Sequence, residues 1–517
     1  MQKNTFLAIF LSTLFLIVWW TYFQPKPAKV PVVPRTEVPA EQAIDIRKLG
    51  ESPKISKEVL LENIATPEKE IIVETKKYRV VFTNRGAAIK SWIIKEINGN
   101  LVDLVLGKNS SVMATFPGSN YTVSQPEPFK IVFKHTSPQG WEIVKTYNLS
   151  KEYLHNLTIE LKKIKKSAKL PYISVGWGPG LGTDYKELKE NTGLIRVLGY
   201  TIAKPPKLEK LKNGEHSGTF YEWTAIDNRY FLAAFIPENG KGFPNIEVYK
   251  ENKNSPLGIN LFSTPKPDSL KEEFSVNYYV GPKEYNMLKS FNLKLEETVD
   301  FGFFGFLGKG VLYVLHFIKN ITNNFGWAII ILTVIMQIIV APLTIKSFKA
   351  SAAMKQLQPH IKELQDKYKN DSKRLNAEVL NLYKTQKVNP LGGCLPMILQ
   401  LPIFWALFTT LRNAYELRGA NWILWVKDLS APDSVAAFGS FNLNILPLIM
   451  GIGMFLQQKM MTVQTDQMQA RMMYMMPVIF TFMFWGFPSG LVIYWLTNSV
   501  LTMLEQYFIM KGMDSPR

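Results

Sequence analysis

From Gly326 to Thr344 the chain is apolar almost without interruption, close to the roughly 20 residues that let a helix cross a bilayer. Only Thr333 and Gln337 break the run. They lie four apart, so on a helix they stack on one face. Polar side chains inside a span usually face a protein interior or a water-filled cavity; the plainer reading is a helix–helix hydrogen bond worth roughly 0.6–2 kcal/mol. Four further apolar runs follow, giving expected spans at about 326–345, 390–411, 441–457, 472–487 and 490–509. Gln400 and Asn498 are polar positions within them.

The N-terminal half follows other periods. Residues 1–23 hold the apolar run Thr5 to Phe23, preceded by Lys3 and ending in Trp19, Trp20, Tyr22 and Phe23. The run is longer than the about 7–15-residue core of a cleaved signal and lacks a small-x-small site, and its aromatics match an interface belt. An uncleaved anchor with Lys3 in the cytoplasm is therefore expected. Residues 24–69 carry Pro25, Pro27, Pro31, Pro34 and Pro39 and read as an extended linker. Over 70–300 the pattern alternates in part with period two, as in Tyr78–Thr83 and Asn156–Leu161, with a hairpin-type turn at Asn98-Gly99. Tyr230–Ile236 and Phe274–Val280 are further β-rich runs. Many strands and little helical periodicity predict a large all-β, sandwich-like domain, either a scaffold or a domain with a peptide- or sugar-binding cleft.

Residues 301–325, rich in Phe and Gly with Lys309, His316 and Lys319, are short and polar enough to lie in the interface as an amphipathic helix. Charge then sets the orientation. Residues 346–388 include Lys355, Lys362, Lys367, Lys373 and Arg374. Leu357, Ile361, Leu364 and Tyr368, then Leu375, Val379 and Leu382, follow helical spacing, predicting a helical hairpin broken at Asn370-Asp371. Its positive charge puts it in the cytoplasm, in agreement with Lys3. The result is a polytopic α-helical membrane protein of six spans, five of them forming a core over 326–511. Both termini, including the tail 512–517, are cytoplasmic, and the β domain is on the outside.

The net charge of +18 fits an anionic membrane surface; no compact aromatic-plus-basic pattern for specific nucleic-acid binding accompanies it. Cys394 is the sole cysteine, which excludes an intramolecular disulfide and a thiolate metal cluster and reads as a small packing residue. An intramembrane protease needs a nucleophile with its base, paired aspartates or His-Glu-x-x-His; Ser489 has no evident base. A transporter predicts repeats and ionisable residues at midplane, and these spans carry almost no charge. No enzyme activity and no cofactor or metal is expected.

Several segments then converge: Lys387-Val-Asn-Pro-Leu-Gly-Gly-Cys-Leu-Pro396, Gln400-Leu-Pro-Ile-Phe404, Trp425-Val-Lys-Asp-Leu-Ser430, Thr465-Asp-Gln-Met-Gln469, Met476-Pro-Val-Ile-Phe480 and Phe487-Pro-Ser-Gly-Leu-Val-Ile-Tyr494. In order and density they resemble the YidC/Oxa/Alb family of membrane protein insertases, in its bacterial form. Phe82-Thr-Asn-Arg-Gly86 and Ala233-Ala-Phe-Ile-Pro237 are weaker matches in the β domain. The resemblance implies a five-span core with a hydrophilic inner-leaflet groove, open to cytoplasm and lipid and closed outside, and a periplasmic β-supersandwich. It also implies insertion of nascent membrane proteins into the bacterial inner membrane, alone or beside the Sec translocon, without nucleotide or metal. Groove residues are then Thr333, Gln337, Gln400 and Asn498; Phe404, Met476, Phe480, Tyr494 and Trp495 are candidates for a greasy exit path. Lys355, Lys362, Lys367, Lys373 and Arg374 are candidates for docking ribosomes or targeting factors, beside the plainer reading of a solvated face. Gln337 stands where many relatives have a groove arginine, five residues before the proline, and Trp495 where some have a second tyrosine.

Overall fold

The structure, a computed structural model of the 517-residue chain, describes residues 67–514 except 97, 108–109, 183–193, 239–241, 253–254, 267–268, 370, 387, 389–394, 439–440 and 462–466. The expected anchor at 1–23, nearly all of the linker, Cys394 and residues 515–517 lie outside the described residues, as does the side chain of Lys355.

Period-two alternation becomes strand wherever one face is covered and the other is wetter. In β7 (Trp141–Asn148) and β8 (Leu154–Lys163) buried and half-buried residues alternate along almost the whole strand. They belong to a nine-stranded antiparallel sheet. From β8 it continues on one side through β17 (Lys271–Pro282), β14 (Phe231–Pro237), β13 (Tyr221–Asp227), β10 (Arg196–Thr201) and β11 (Leu208–Lys210). On the other side β7 is followed by β6 (Lys130–Thr136) and β5 (Thr122–Glu127). A four-stranded sheet runs β1 (Glu70–Glu74), β2 (Tyr78–Thr83), β3 (Ala88–Lys95), β4 (Leu101–Asp103). Another runs β12 (Gly214–Ser217), β15 (Asn245–Tyr249), β16 (Gly258–Ser263), β9 (Ile173–Trp177). The turn between β3 and β4 holds Gly99 at φ 86°, a left-handed conformation that only glycine adopts without strain.

The three sheets meet around Trp92. Its ring lies 6.4 Å from Trp177, 6.2 Å from Tyr278 and 5.1 Å from His155, one partner from each facing sheet or neighbouring strand, all fully or nearly fully buried. His155 Nδ1 accepts a hydrogen bond from the Ser150 amide at 3.1 Å, so the ring is neutral. Burial pulls its pKa from 6.5 down to about 3. Strands β13 and β14 break the alternation: Phe231–Ile236 is buried at six successive positions. Both faces of β14 are therefore covered, and at its start Phe231 meets Tyr415 of the helical half at 5.8 Å.

That contact belongs to the segment 412–419, which fastens the β domain to the helices. Arg418 Nε donates to Glu96 at 2.6 Å with both side chains under 5% exposed, and the guanidinium sits 4.9 Å from the Tyr230 ring. The Tyr230 hydroxyl donates to the carbonyl of Arg412 at 3.2 Å. Glu416 accepts from the Tyr285 amide at 3.0 Å and lies 3.6 Å from His316. Gly419 (φ 65°) touches Asn98 so closely that a Cβ there would collide with its side chain.

The helices are α1 (Tyr285–Ser290), α2 (Gly305–Thr322), α3 (Phe325–Gln356), α4 (Gln358–Lys367), α5 (Ser372–Thr385), α6 (Leu395–Asn413), α7 (Ile445–Met461), α8 (Gln467–Met483) and α9 (Ser489–Asp514). Helix α9 packs on α3 and α7, and α2 on α3 and α6. Their outward faces are apolar: Ile338 and Ile339 of α3, Ile452 of α7, Phe482 of α8 and Phe508 of α9 are all exposed. Helix α3 is long and apolar enough to cross a membrane by length and composition, and α7 and α8 contain shorter apolar helices.

Two boundaries differ from the sequence reading. The span expected to end near residue 345 continues as helix to Gln356, with Pro342 inside it. A proline removes one helix donor, here the partner of the Ile338 carbonyl, and an apolar helix tolerates this where packing and neighbouring groups re-satisfy the freed carbonyl. The run expected to be helical from 441 begins instead as β19 (Phe441–Asn444), paired with β18 (Ser434–Phe438). Helix α7 starts where Asp433 caps it from outside the helix, accepting from the amides of Ile445 (3.1 Å) and Leu446 (2.7 Å) and from Trp425 Nε1 (2.9 Å).

Two outcomes follow from these contacts. Unfolded His155 takes up a proton below pH 6.5 that the folded domain refuses until about pH 3. This group therefore removes stability as pH falls through that window, by about 1.4 kcal/mol per unit. The thermal midpoint against pH should flatten there in His155→Asn, which retains an acceptor for Ser150; an unchanged slope would exclude His155 as its source. Arg418→Met strands the Glu96 carboxylate and should cost roughly 3–5 kcal/mol in denaturant unfolding, with much of the loss recovered in Arg418→Met/Glu96→Gln.

Candidate functional site

The polar positions of the apolar helices are organised along α9. Tyr494, Asn498, Thr502 and Glu505 follow one another at spacings of four, four and three, which places them on one face of that helix. From Tyr494 to Glu505 the helix rises by about 16 Å, and the partners meet this stripe at two heights.

At the lower height, Gln337 of α3 is buried and its Nε2 donates to Glu505 Oε2 at 3.0 Å and, at the limit of 3.5 Å, to Thr502 Oγ1. Thr502 in turn donates to the Asn498 carbonyl at 2.8 Å. Near the upper height, Gln400 of α6 donates to the hydroxyl of Tyr494, itself 2% exposed. Two glutamines from two helices thus bond to one stripe on a third. Both side-chain amides keep further donor or acceptor capacity.

Thr333 stands apart from this arrangement. It is buried, and its hydroxyl donates to the Ile329 carbonyl one turn back at 2.7 Å; it is spent on its own helix. Asn498 lies on the stripe and is half-buried, and it takes part through its backbone carbonyl.

Glu505 is the residue the sequence reading missed. The run around it, Leu501-Thr-Met-Leu-Glu-Gln-Tyr-Phe508, scores as apolar, and a single acid near its end is easily assigned to a flanking tail. The four–four–three spacing from Tyr494 is the signal that finds it. Beside it Gln506 is buried, and its Oε1 has no hydrogen-bond partner among the described residues. A carboxylate half-buried among apolar side chains is costly unless it is paired, and a single amide bond leaves part of that cost standing.

The candidate exit-path residues separate into two groups and an outlier. Phe404, Phe480 and Trp495 form one cluster: Trp495 lies 5.3 Å from Phe404 and 5.7 Å from Phe480, with Phe484 at 5.2 Å. Tyr494 faces the other way, into the Gln400 contact. Met476 is exposed on the outer surface of α8.

In the basic segment, α4 and α5 pack against each other as a hairpin. Asp371 caps α5, accepting from the Arg374 amide at 3.0 Å. Lys362, Lys367, Lys373 and Arg374 are exposed, the side chains of Lys367 and Arg374 lying over Tyr368 at 5.5 and 5.3 Å. Among the described residues no group of acidic, His and Cys side chains forms a metal site.

A family model described as the YidC periplasmic domain matches residues 106–314, and one described as the 60Kd inner membrane protein matches 317–516. The chain is 53% identical over 515 residues to the membrane protein insertase YidC of Endomicrobium trichonymphae, covering 99% of this chain and 98% of that one. The chain belongs to the YidC family. The YidC of Syntrophus aciditrophicus is 35% identical, with 99% of this chain and 100% of that one covered. A solved YidC insertase structure is 20% identical and covers 87% of this chain and 94% of its own, at a TM-score of 0.39. A GalM/aldose epimerase homologue from C. elegans covers 42% of this chain and 99% of its own at 0.32. At those scores neither likeness bears further on the reading. The YidC family is not an enzyme class; it is a family of membrane proteins with a periplasmic domain.

The contacts predict unequal effects of removing each polar group. Gln400→Leu leaves the buried Tyr494 hydroxyl unpaired and should cost roughly 1–3 kcal/mol, read as a lowered thermal midpoint in detergent. Thr333→Val removes only a second donor to a carbonyl of its own helix and should stay within about 0.5 kcal/mol.

Proposed function

We infer that the chain is a membrane protein insertase, which inserts newly made proteins into the bacterial inner membrane and helps them fold. Identity of 53% along essentially the whole length to a membrane protein insertase carries this reading. We propose further that the stripe of α9, with Gln337 and Gln400, lines a groove for the hydrophilic part of a substrate.

In this reading α3, α6, α7, α8 and α9 are spans and residues 1–23 supply a sixth, with both termini in the cytoplasm and the β domain in the periplasm. The apolar outward faces of α3, α7, α8 and α9 support it, because such surfaces need lipid rather than water. Helix α2 lies along the outer interface, with Phe306, Tyr313, Phe317 and Ile321 exposed on its lipid side while Leu312 and Leu315 pack inward.

The mechanism needs no bond to be made or broken. A hydrophilic segment crossing hydrocarbon loses its hydration, and each polar group left unsatisfied costs several kcal/mol. Amides of Gln337 and Gln400, held by α9 at successive depths, replace part of that hydration and so shorten the apolar stretch to be crossed. The substrate's apolar segment meanwhile leaves sideways into lipid, driven by the hydrophobic effect, past the cluster of Phe404, Phe480 and Trp495. The exposed cations of the hairpin, Lys362, Lys367, Lys373 and Arg374, are a docking surface for ribosomes or targeting factors. In this reading it works alone or beside the Sec translocon.

A photo-crosslinker at Gln337, presented with a ribosome-stalled single-span nascent chain, tests the groove. Crosslinks to the chain's hydrophilic segment that disappear once insertion completes are expected. Crosslinks confined to Phe404 or Trp495 would show a lipid-facing chaperone whose polar stripe only joins helices.

A further inference from the structure

Glu505 is a half-buried carboxylate in the last apolar helix, and its one side-chain partner among the described residues is the Gln337 amide. No described Lys, Arg or His pairs with it. Leu504 and Phe508 beside it are exposed apolar surface, so the charge sits where hydrocarbon is close. A contact that merely joined α3 to α9 needs no charge: a glutamine at 505 offers Gln337 the same acceptor and avoids the desolvation that a carboxylate suffers. A carboxylate accepts at about four lone-pair sites, and Gln337 fills one.

We propose that Glu505 is a cation subsite of the groove: it pairs with a Lys or Arg side chain of the hydrophilic segment being moved. This rests on the groove reading above and deepens it by naming the chemistry that the groove favours. Glu505 lies about 16 Å farther along α9 than Tyr494, so it is the first polar group of the stripe met by a segment entering from the cytoplasm. Gln337 holds the carboxylate through one N–H and leaves its second oxygen for the incoming cation. A guanidinium or ammonium arriving there exchanges its water for an ion pair in partly desolvated surroundings, while an acidic segment meets like charge. Such charge complementarity selects among segments more than it tightens binding overall.

The test uses the full-length chain in proteoliposomes with no imposed potential and single-span substrates that differ only in a short N-terminal tail bearing two Lys, two Gln or two Glu. Insertion is read as protease protection, and the measured quantity is the ratio of Lys-tail to Gln-tail insertion. Glu505→Gln should lower that ratio about tenfold, between the effects of exposed and buried ion pairs. Glu505→Asp should restore most of it, and Glu505→Lys should favour the Glu tail instead. A structural role for Glu505 would change all tails together and leave the ratio fixed; that result, with Gln tails still inserting, overturns the subsite and leaves the groove standing. Failure of wild-type protein to insert any tail overturns the groove and the subsite with it.

Discussion

The Arg418–Glu96 pair is the contact on which the two halves of this protein depend. It lies almost entirely out of water, between the β3–β4 turn of the sandwich and the loop that follows α6. Buried pairs of this kind add little net stability over an apolar filling, but they tolerate only one arrangement. Around it the loop and the last turn of α6 spend their polar atoms on the β domain and its neighbours: Glu416 on Tyr285 and His316, the Arg412 carbonyl on Tyr230. The loop continues into the segment whose Leu429 carbonyl accepts from the Gly490 amide and whose Asp428 carbonyl accepts from the Ser489 hydroxyl, at 3.0 and 2.6 Å. Thus the segment that locks the β domain also fixes where α9 begins.

Since α9 carries the stripe, its starting point sets the depth of every polar group on it. Asp433 performs the corresponding task for α7, holding the first two amides of that helix from a neighbouring loop. Side chains outside the apolar helices therefore determine registers inside them. This is consistent with the arrangement of hydrogen bonds in an apolar medium, where a helix end without partners is costly.

Much of this was legible in the pattern of residues. Period-two runs such as Asn156–Leu161 and Phe274–Val280 are strands of the β sheet, and helical spacing with the break near Asp371 marks the α4–α5 hairpin. Gln337 and Gln400 stand out because a lone amide in an apolar run is conspicuous. What escaped has physical causes. At Phe231 the extra burial comes from Tyr415, a residue more than 170 positions away that periodicity does not register. Pro342 looks like a helix end, and in water it usually is one; in this apolar helix the backbone continues past it to Gln356. Thr333 and Gln337 look equivalent by spacing, yet only one finds a partner on another helix. Glu505 was hidden because hydropathy averages over windows, whereas the chemistry of a stripe depends on individual positions.

The continuity of α3 has a mechanical side. Thirty-two helical residues extend about 48 Å, whereas hydrocarbon is about 30 Å thick. With α3 placed as a span in the proposed way, several of its turns remain beyond the hydrocarbon, and the α4–α5 hairpin follows directly at its end. The hairpin is thereby carried on a stiff stalk rather than a tether. Its reach is set by the stalk's length and tilt, and the position of weakest bending resistance is Pro342, a little over one turn beyond Gln337. In the proposed placement, a load on the hairpin reaches the polar stripe by way of Pro342.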